Sequence, residues 1–255
     1  MKSPLSQFRF SGLLVAGAAL GLLSGGTGSA HGAPPGSTGW TLVWSDEFNG
    51  SANAAPDTSK WGYGQLSWGG NYHNSSYASV VQPSDSYLDG NGHLVLRCRS
   101  GSFLGSDGSY HPTSEGMVHS RGKLDYAYGY IEINAQYPTD SAASLWPAFW
   151  LNGSWNWPPE FDIAEYWSSG DYMHNAMAWS SNGMQWDNTT FYDGDYGSYH
   201  IYGLDWEPHG PYWEPGHAVW FKDGTNKKSN HTANVPNQPP ARGQHRHRLL
   251  FPQWP

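Results

Sequence analysis

The chain has 255 residues and a formal net charge of −8 at pH 7, and only 13% of its residues are charged. This acidic balance gives no basic surface for nucleic acid, and no G-x-x-x-x-G-K-[ST] phosphate-binding motif occurs. The single cysteine, Cys98, excludes an internal disulfide. It follows Leu94 and Leu96 at strand period, so we expect a small buried apolar residue and not a catalytic thiol.

The first thirty residues are typical of a secretory signal peptide. Lys2 and Arg9 supply positive charge, residues 12–23 form a short apolar run, and the small residues before and at Ala30 suit cleavage. The run is too short and too rich in glycine for a membrane span. We therefore predict that residues 1–30 take no part in the fold and are removed on export. Residues 31–38 are predicted to form a flexible lead-in, and the mature protein to be extracellular and not membrane-bound.

Residues 39–240 are predicted to form one all-β domain. Glycine and proline supply 50 residues (32 plus 18), and short alternating runs between turn signals replace any long 3.6-residue period. Asp89-Gly90 and Asp223-Gly224 are predicted hairpin turns. The twelve histidines show no close metal-ligand spacing, so no metal-binding residue is predicted. The predicted strands are residues 40–43, 94–98, 123–126, 128–137, 145–151, 161–166, 174–179, 199–206 and 217–221.

The strand that begins at Glu160 carries three acids within six residues. Strand alternation places Glu160 and Asp162 on one face, whereas Glu165 would point to the other face of an unbroken strand. A β-bulge near Ile163-Ala164 would return Glu165 to the face of the other two acids. Carboxyl groups about 5–5.5 Å apart are the geometry of a retaining glycosidase. The simpler alternative for such spacing alone is a solvated acidic strand face.

Five segments in the same order resemble glycoside hydrolase family 16, particularly its laminarinase-like branch. They are W-x-DEF-[ND]-G at residues 44–50, YG-x-x-E at 128–132, WPAFW at 146–150, E-[hydrophobic]-D-x-x-E at 160–165 and H-x-Y-x-x-x-W at 200–206. The resemblance implies a jelly-roll β-sandwich, concanavalin A-like, of two curved antiparallel sheets with a concave substrate cleft. It also implies that Glu160 is the nucleophile, Glu165 the acid/base and Asp162 the orienting carboxylate.

The tryptophans are candidates for sugar binding because pyranose faces pack on aromatic rings. Trp146 and Trp150 share strand parity beside the acidic strand, and Trp157 lies in the loop that leads into it. Asn71 lies in a region that lines the glycone subsites in the family. Ordinary core packing is the alternative for each tryptophan.

The resemblance implies a secreted retaining endo-glycosidase that acts on a β-1,3- or β-1,3-1,4-glucan. Tyr130 stands where arginine is common in the family and is closer to the agarase and carrageenase variants, so a β-linked galactan is the second choice. A transglycosylase and a non-catalytic carbohydrate-binding sandwich are further alternatives. We expect a monomer with a polysaccharide as its partner. No cofactor is required, although many family members carry a structural calcium, to which Asp46 and Glu47 could contribute.

Residues 241–255 differ from the family. Where further strands are expected, the chain has a basic segment that includes His245, Arg246, His247 and Arg248 and then ends. We expect an aberrant tail of a truncated or frameshifted product. Loss of interior strands would open sheet edges and lower stability.

Overall fold

The structure is a computed structural model. The residues it describes are 6–18, 33–38, 40–63, 79–124, 126, 128–139, 145–153, 158–166, 172–180, 184–207, 216–231 and 247–251. Their only helical segment is the 3₁₀ turn Pro83–Asp85. None of these residues belongs to a helix long and apolar enough to span a membrane.

Seventeen strands account for most of the described residues. They are β1 (Ser6–Ala18), β2 (Trp40–Asp46), β3 (Gly62–Tyr63), β4 (Ser79–Val81), β5 (Ser86–Leu88), β6 (Leu94–Leu104), β7 (Tyr110–Glu115), β8 (Val118–His119), β9 (Gly129–Gln136), β10 (Ala148–Gly153), β11 (Glu160–Tyr166), β12 (Tyr172–Ser180), β13 (Met184–Tyr192), β14 (His200–Glu207), β15 (His217–Lys222), β16 (Thr225–Asn230) and β17 (His247–Phe251).

The strands form two sheets. The larger has ten strands in the order β16-β15-β14-β9-β1-β6-β7-β4, with β2 paired to β1 and β5 paired to β6. The smaller has seven strands in the order β13-β12-β11-β10-β17-β8-β3. All ladders are antiparallel except the one between β4 and β7. The predicted all-β jelly roll of two curled antiparallel sheets is therefore confirmed.

The core lies between the sheets and is rich in aromatic rings. Phe161 of β11 packs 5.1 Å from Trp206 of β14 and 6.0 Å from Trp220 of β15, measured between ring centroids. All three side chains are fully buried. Because alternate residues of β11 enter this core, the residues between them are turned to the outer face of the seven-stranded sheet.

The amino-terminal segment is part of the larger sheet. Ser6–Ala18 pairs with β6 and β9 on its two sides and with β2 along its second half. In the full-length chain residues 6–18 are thus paired, because the edges of β6 and β9 present unpaired backbone groups, which an extended apolar segment satisfies. The assignment of residues 1–30 to a signal peptide outside the mature fold, and their removal on export, stay predictions.

The carboxy-terminal segment is likewise not outside the sheets. His247–Phe251 forms β17, which pairs with β10 on one side and with β8 on the other. Its pairing places Leu250 opposite Trp150. These residues cover edges of β10 and β8 that would otherwise be open, and the interpretation of residues 241–255 as an aberrant tail stays a prediction.

Both predicted hairpin turns are present, and one predicted strand is not. Asp223 and Gly224 have φ angles of 48° and 72° and join β15 to β16. Asp89-Gly90 lies in the connection between the paired strands β5 and β6. The strand predicted over residues 123–126 is wrong. Lys123 lies in a turn, where its N–H donates to the carbonyl of Ser120.

Candidate active site

Strand β11 contains the predicted bulge. Against β10 the register shifts between Phe149 and Trp150, so that β11 has one residue more than its partner. Against β12 the register shifts between Asp162 and Glu165. The extra residue therefore lies at Ile163-Ala164, and both of these side chains pack in the core. Two consecutive inward residues reverse the parity of the strand beyond them.

The bulge brings the three acids to one face. Asp162 is 4% exposed and Glu165 is 8% exposed, and Glu160 at the start of the strand is half-buried. The register on both sides of β11 puts Glu160 and Glu165 on the face of Asp162, and the charges of both raise the pKa of Asp162. This face is the one opposite the core, because Phe161 and Tyr166 point inward.

Three side chains hold the bulge from the core side. A bulge leaves backbone groups without ladder partners, and here the consecutive carbonyls of residues 162–164 face away from a regular partner strand. The Trp220 indole donates to the first of them at 2.9 Å and the Tyr137 hydroxyl to the third at 3.1 Å. The Asn175 amide donates to the second. All three donors are buried, so the carbonyls are satisfied without water.

Aromatic and imidazole groups surround the acids. Trp146 donates its indole N–H to Oε1 of Glu165 at 3.1 Å. Trp150 pairs with Asp162 across the ladder and is 6% exposed. Its indole nitrogen is buried and has no hydrogen-bond partner among the described residues. His174 pairs directly with Glu165 on the other side of the strand, and its Nδ1 lies 2.9 Å from the hydroxyl of Thr190.

Burial sets the protonation of two of these groups. Burial, and then the charges of Glu165 and Glu160, raise the pKa of Asp162 well above its ordinary value. Burial, and then the Lys228 ammonium, lower the pKa of His174. At neutral pH the imidazole is therefore neutral, and Asp162 keeps its proton to a higher pH than an exposed aspartate does.

A buried ion pair supports the far end of β11. The Tyr166 hydroxyl donates to Asp193 at 2.5 Å, and the Lys222 ammonium contacts both oxygens of the same carboxylate at 2.6 Å. Burial alone would raise the pKa of Asp193, but the hydrogen bonds from Lys222 and Tyr166 outweigh it and lower the pKa. This pair fixes the residue that follows Glu165.

Other predicted residues lie elsewhere. Trp157 and Asn71 fall outside the described residues, so their substrate-binding roles stay predictions. Tyr130 belongs to the ten-stranded sheet, where its hydroxyl donates to Glu132 at 2.9 Å, and it does not lie beside the acids. Cys98 is half-buried and not fully buried as expected. Burial raises the pKa of its thiol to about 12, which leaves it protonated.

Asp46, one of the two residues named for a structural calcium, is already engaged by protein donors. Asp46 accepts the backbone N–H of Phe48 with one oxygen and the Trp61 indole with the other, at 3.0 and 2.7 Å. The Lys60 ammonium lies 3.4 Å from the same carboxylate. A calcium ligand needs an oxygen available to the ion, whereas this carboxylate is already neutralised and hydrogen-bonded.

Comparison with known proteins identifies the family. The family model of glycosyl hydrolases family 16 matches residues 73–242, about two thirds of the chain. The chain belongs to this family. A glucan endo-1,3-β-glucosidase A1 of Niallia circulans is 29% identical over 81% of this chain and 32% of its own length. A keratan-sulfate endo-1,4-β-galactosidase of Sphingobacterium multivorum is 31% identical over 67% of this chain and 40% of its own length.

A solved structure agrees with the family 16 assignment at the level of the fold. The catalytic domain of an endo-1,3-β-glucanase (laminarinase) from Thermotoga petrophila RKU-1 superposes with a TM-score of 0.62 at 21% identity. The match covers 83% of this chain and 85% of that one. This family 16 chain spans about a third to two fifths of the length of the two curated relatives.

Sequence reasoning did not identify the three donors behind the bulge. Trp220 and Asp162 are 58 positions apart, and Tyr137 is 27 positions from the carbonyl it reaches. Strand alternation predicts that such residues point inward, but not which carbonyl they meet. His174 is a further residue that the sequence analysis did not assign to the site, although pairing of β12 with β11 places it beside Glu165.

Proposed function

We propose that this family 16 protein is an exported retaining endo-glycosidase that hydrolyses β-1,3- or β-1,3-1,4-linked glucan. The observation that carries the proposal is the bulge, which gathers Glu160, Asp162 and Glu165 on one face. A solvated acidic strand face does not account for Asp162 and Glu165, because both are more than nine-tenths buried. A carbohydrate-binding sandwich has no need of three gathered acids.

The proposed reaction uses the acids in separate roles. Glu160 attacks the anomeric carbon as Glu165 gives its proton to the leaving oxygen, and a covalent glycosyl–enzyme ester forms. Glu165 then takes a proton from water, which attacks the same carbon and releases Glu160. Asp162, whose buried carboxyl keeps its proton to a higher pH than usual, orients the Glu160 carboxylate on the same face. Trp146 holds Glu165 through its indole N–H, which makes it a positioning residue.

The same three acids also serve a galactan hydrolase. The relative from Sphingobacterium multivorum, 31% identical over 187 residues, is named an endo-1,4-β-galactosidase. The glucan remains our first proposal because the other relative, from Niallia circulans, is named a glucan endo-1,3-β-glucosidase and matches more of the chain. Tyr130 gives no support to the galactan, because it does not lie on the face of the acids.

A substrate panel with matched variants tests the proposal. Laminarin, mixed-linkage β-glucan, agarose and carrageenan are incubated with the full chain, with Glu160→Gln and with Glu115→Gln. Glu115 is a glutamate buried in the other sheet, where burial and then Asp85 raise its pKa, so its replacement controls for the loss of a buried carboxyl away from β11. We expect glucan cleavage by the wild type and Glu115→Gln, and a loss of several orders of magnitude in Glu160→Gln.

The anomeric form of the first product separates the mechanisms. A retaining enzyme releases the β-anomer first, and proton NMR follows its mutarotation. Release of the α-anomer would contradict the covalent route. Cleavage of agarose or carrageenan, with no cleavage of either glucan, would favour the galactan hydrolase. Binding without turnover by the wild type and by both glutamate variants would favour a carbohydrate-binding module.

A further inference from the structure

Three potential metal ligands meet on the outer face of the ten-stranded sheet. Asp205 and Glu207 lie two residues apart on β14, and His217 of the neighbouring strand β15 pairs with Glu207 in the ladder. One oxygen of each carboxylate and one ring nitrogen of His217 all lie within 4.8 Å of one another. Among the described residues this is the only such group of three.

One oxygen of the Asp205 carboxylate is not satisfied by protein partners. Asp205 is 9% exposed, and its Oδ1 is buried without a hydrogen-bond partner in the described part of the chain. Its Oδ2 lies 3.4 Å from Nε2 of His217, longer than the usual 2.7–3.2 Å of such a hydrogen bond. A buried carboxylate oxygen without a partner is costly, and a cation would satisfy it.

The spacing suits an ion better than a hydrogen bond. A tetrahedral zinc ion binds nitrogen and oxygen at about 2.0–2.2 Å, which separates its ligand atoms by roughly 3.3–3.6 Å. The distance from Oδ2 of Asp205 to Nε2 of His217 is 3.4 Å, which suits two ligands of one ion. Oε2 of Glu207 lies 3.8 Å from the other ring nitrogen, Nδ1, so the Glu207 side chain would rotate to reach an ion held at Nε2. The ligands project from two paired strands, so their backbone positions are fixed before an ion arrives.

A second imidazole lies beside the first. The ring of His231, which follows β16, is centred 5.6 Å from the ring of His217. A side-chain rotation would allow it to act as a fourth ligand. Two carboxylates and imidazole form a mixed nitrogen and oxygen set that suits a first-row transition ion, whereas calcium prefers oxygen alone.

We propose that Asp205, Glu207 and His217 bind a divalent transition-metal ion of the zinc type, with His231 as a further ligand. The site lies on the sheet that does not carry the acids, so the ion joins β14 to β15 and has no part in glycoside cleavage. Its positive charge neutralises two close carboxylates, one of which is buried. Binding therefore stabilises the folded state without being required for turnover.

Calorimetric titration of the full chain with zinc sulfate, after chelator treatment and dialysis at pH 7.5, tests the site. Other histidines contribute background binding, so the comparison between variants decides the result. The variants are Asp205→Asn, His217→Gln and Glu207→Gln, and the last changes a side chain that is 47% exposed, so we expect it to keep the fold. The matched control is His111→Gln, which alters another His–Asp pair, with Nε2 of His111 3.0 Å from Asp107.

We expect one zinc-binding event that the wild type and His111→Gln share. Each of the three site variants should weaken it at least about 10-fold, as expected for loss of a metal ligand. Zinc should raise the thermal midpoint of the wild type and the control but not of Glu207→Gln, and calcium should not reproduce the effect. Equal zinc isotherms for the wild type and Glu207→Gln, or no binding by the wild type, would overturn the proposal.

Discussion

The indole Nε1–H of Trp220 donates a 2.9 Å hydrogen bond to the backbone carbonyl of Asp162. The two residues belong to opposite sheets, and the bond passes through the core to the strand that bears the acids. This donor lies on the core side of the seven-stranded sheet. It fixes the backbone of β11, whose opposite face carries Glu160 and Glu165. The accuracy of the site depends on the core, and not only on the residues of its face.

Replacing Trp220 by phenylalanine should impair turnover as well as stability. The change leaves the carbonyl of Asp162 buried without a donor, at a cost of about 1–3 kcal/mol in the free energy of unfolding. A small displacement of the acids should reduce kcat on glucan by about 10–100-fold with little change in KM. Urea unfolding and initial-rate kinetics measure the two effects.

Trp61→Phe is the control for this variant. The indole of Trp61 is equally buried and donates at 2.7 Å to Asp46, far from the acids in the sequence and in the fold. It should lose similar stability and keep its kcat. A matching fall in kcat for both variants would show that the effect is global and that Trp220 does not position the site.

The pH dependence of stability should reveal Asp162. Its pKa is raised in the folded protein from the ordinary value of 3.8, so the folded chain holds a proton that the unfolded chain releases above that pH. The free energy of unfolding therefore falls as pH rises above about 4, by up to about 1.4 kcal/mol per pH unit from this group. Asp162→Asn should be more stable than the wild type at pH 7 and should lack this decline.

Urea unfolding at several pH values from 4 to 8 measures that slope. Asp57→Asn serves as the control because Asp57 is exposed and its pKa is lowered, first by its hydrogen bonds with Ser59. Its slope should match that of the wild type over this range. A slope in Asp162→Asn equal to that of the wild type would mean that Asp162 is ionised in the folded protein.

Lys222→Met should be one of the most destabilising single changes. It leaves the Asp193 carboxylate buried without its cation, which costs about 3–5 kcal/mol. Because the folded pKa of Asp193 is depressed, the pair stabilises the protein above the ordinary value of 3.8, and this contribution is lost as pH falls through the folded pKa. The cost of Lys222→Met should therefore shrink in acid.

The double variant Lys222→Met/Asp193→Asn isolates the charge effect. Removing both charges should recover part of the stability that the single change loses, since no isolated carboxylate remains. Thermal unfolding at pH 7 and at pH 3 checks both expectations. A double variant no more stable than Lys222→Met would show that packing, and not the unpaired charge, caused the loss.

Removal of residues 1–30 should lower the thermal midpoint of the purified protein. Without β1 the strands β6 and β9 lose the partner between them. The backbone groups that paired with β1 are then left without ladder partners. Leu14→Pro in the full chain should act in the same direction, because proline removes a ladder donor where Leu14 pairs with Glu132. Midpoints unchanged by both alterations would show that this strand is not paired in solution.

The site could be predicted from the sequence to the extent that it depends on counting along one strand. Glu160 and Glu165 are five residues apart, so a shared face required one extra residue, and the bulge lies where that count placed it. The identity of the donors behind it depends on which strands of two different sheets face one another. The pattern of neighbouring residues in the sequence does not predict which strands of the two sheets face one another.

The same reason explains what the sequence did not reveal at the two ends of the chain and on the outer face. Pairing of β1 with β6 and β9, and of β17 with β10 and β8, joins segments that are far apart in the chain. The apolar run of residues 12–23 satisfies the requirements of a leader and of a strand alike. Asp205 and His217 are twelve positions apart and meet only because β14 and β15 pair.

The position of β1 sets an order of events during synthesis. Its earliest partner, β2, can form only an isolated hairpin with it, which is marginal in water. Its second flank is covered only once residue 136 has left the ribosome, because β9 ends there. Until then β1 thus keeps one flank open, and the closing of the sheet on β9 covers it.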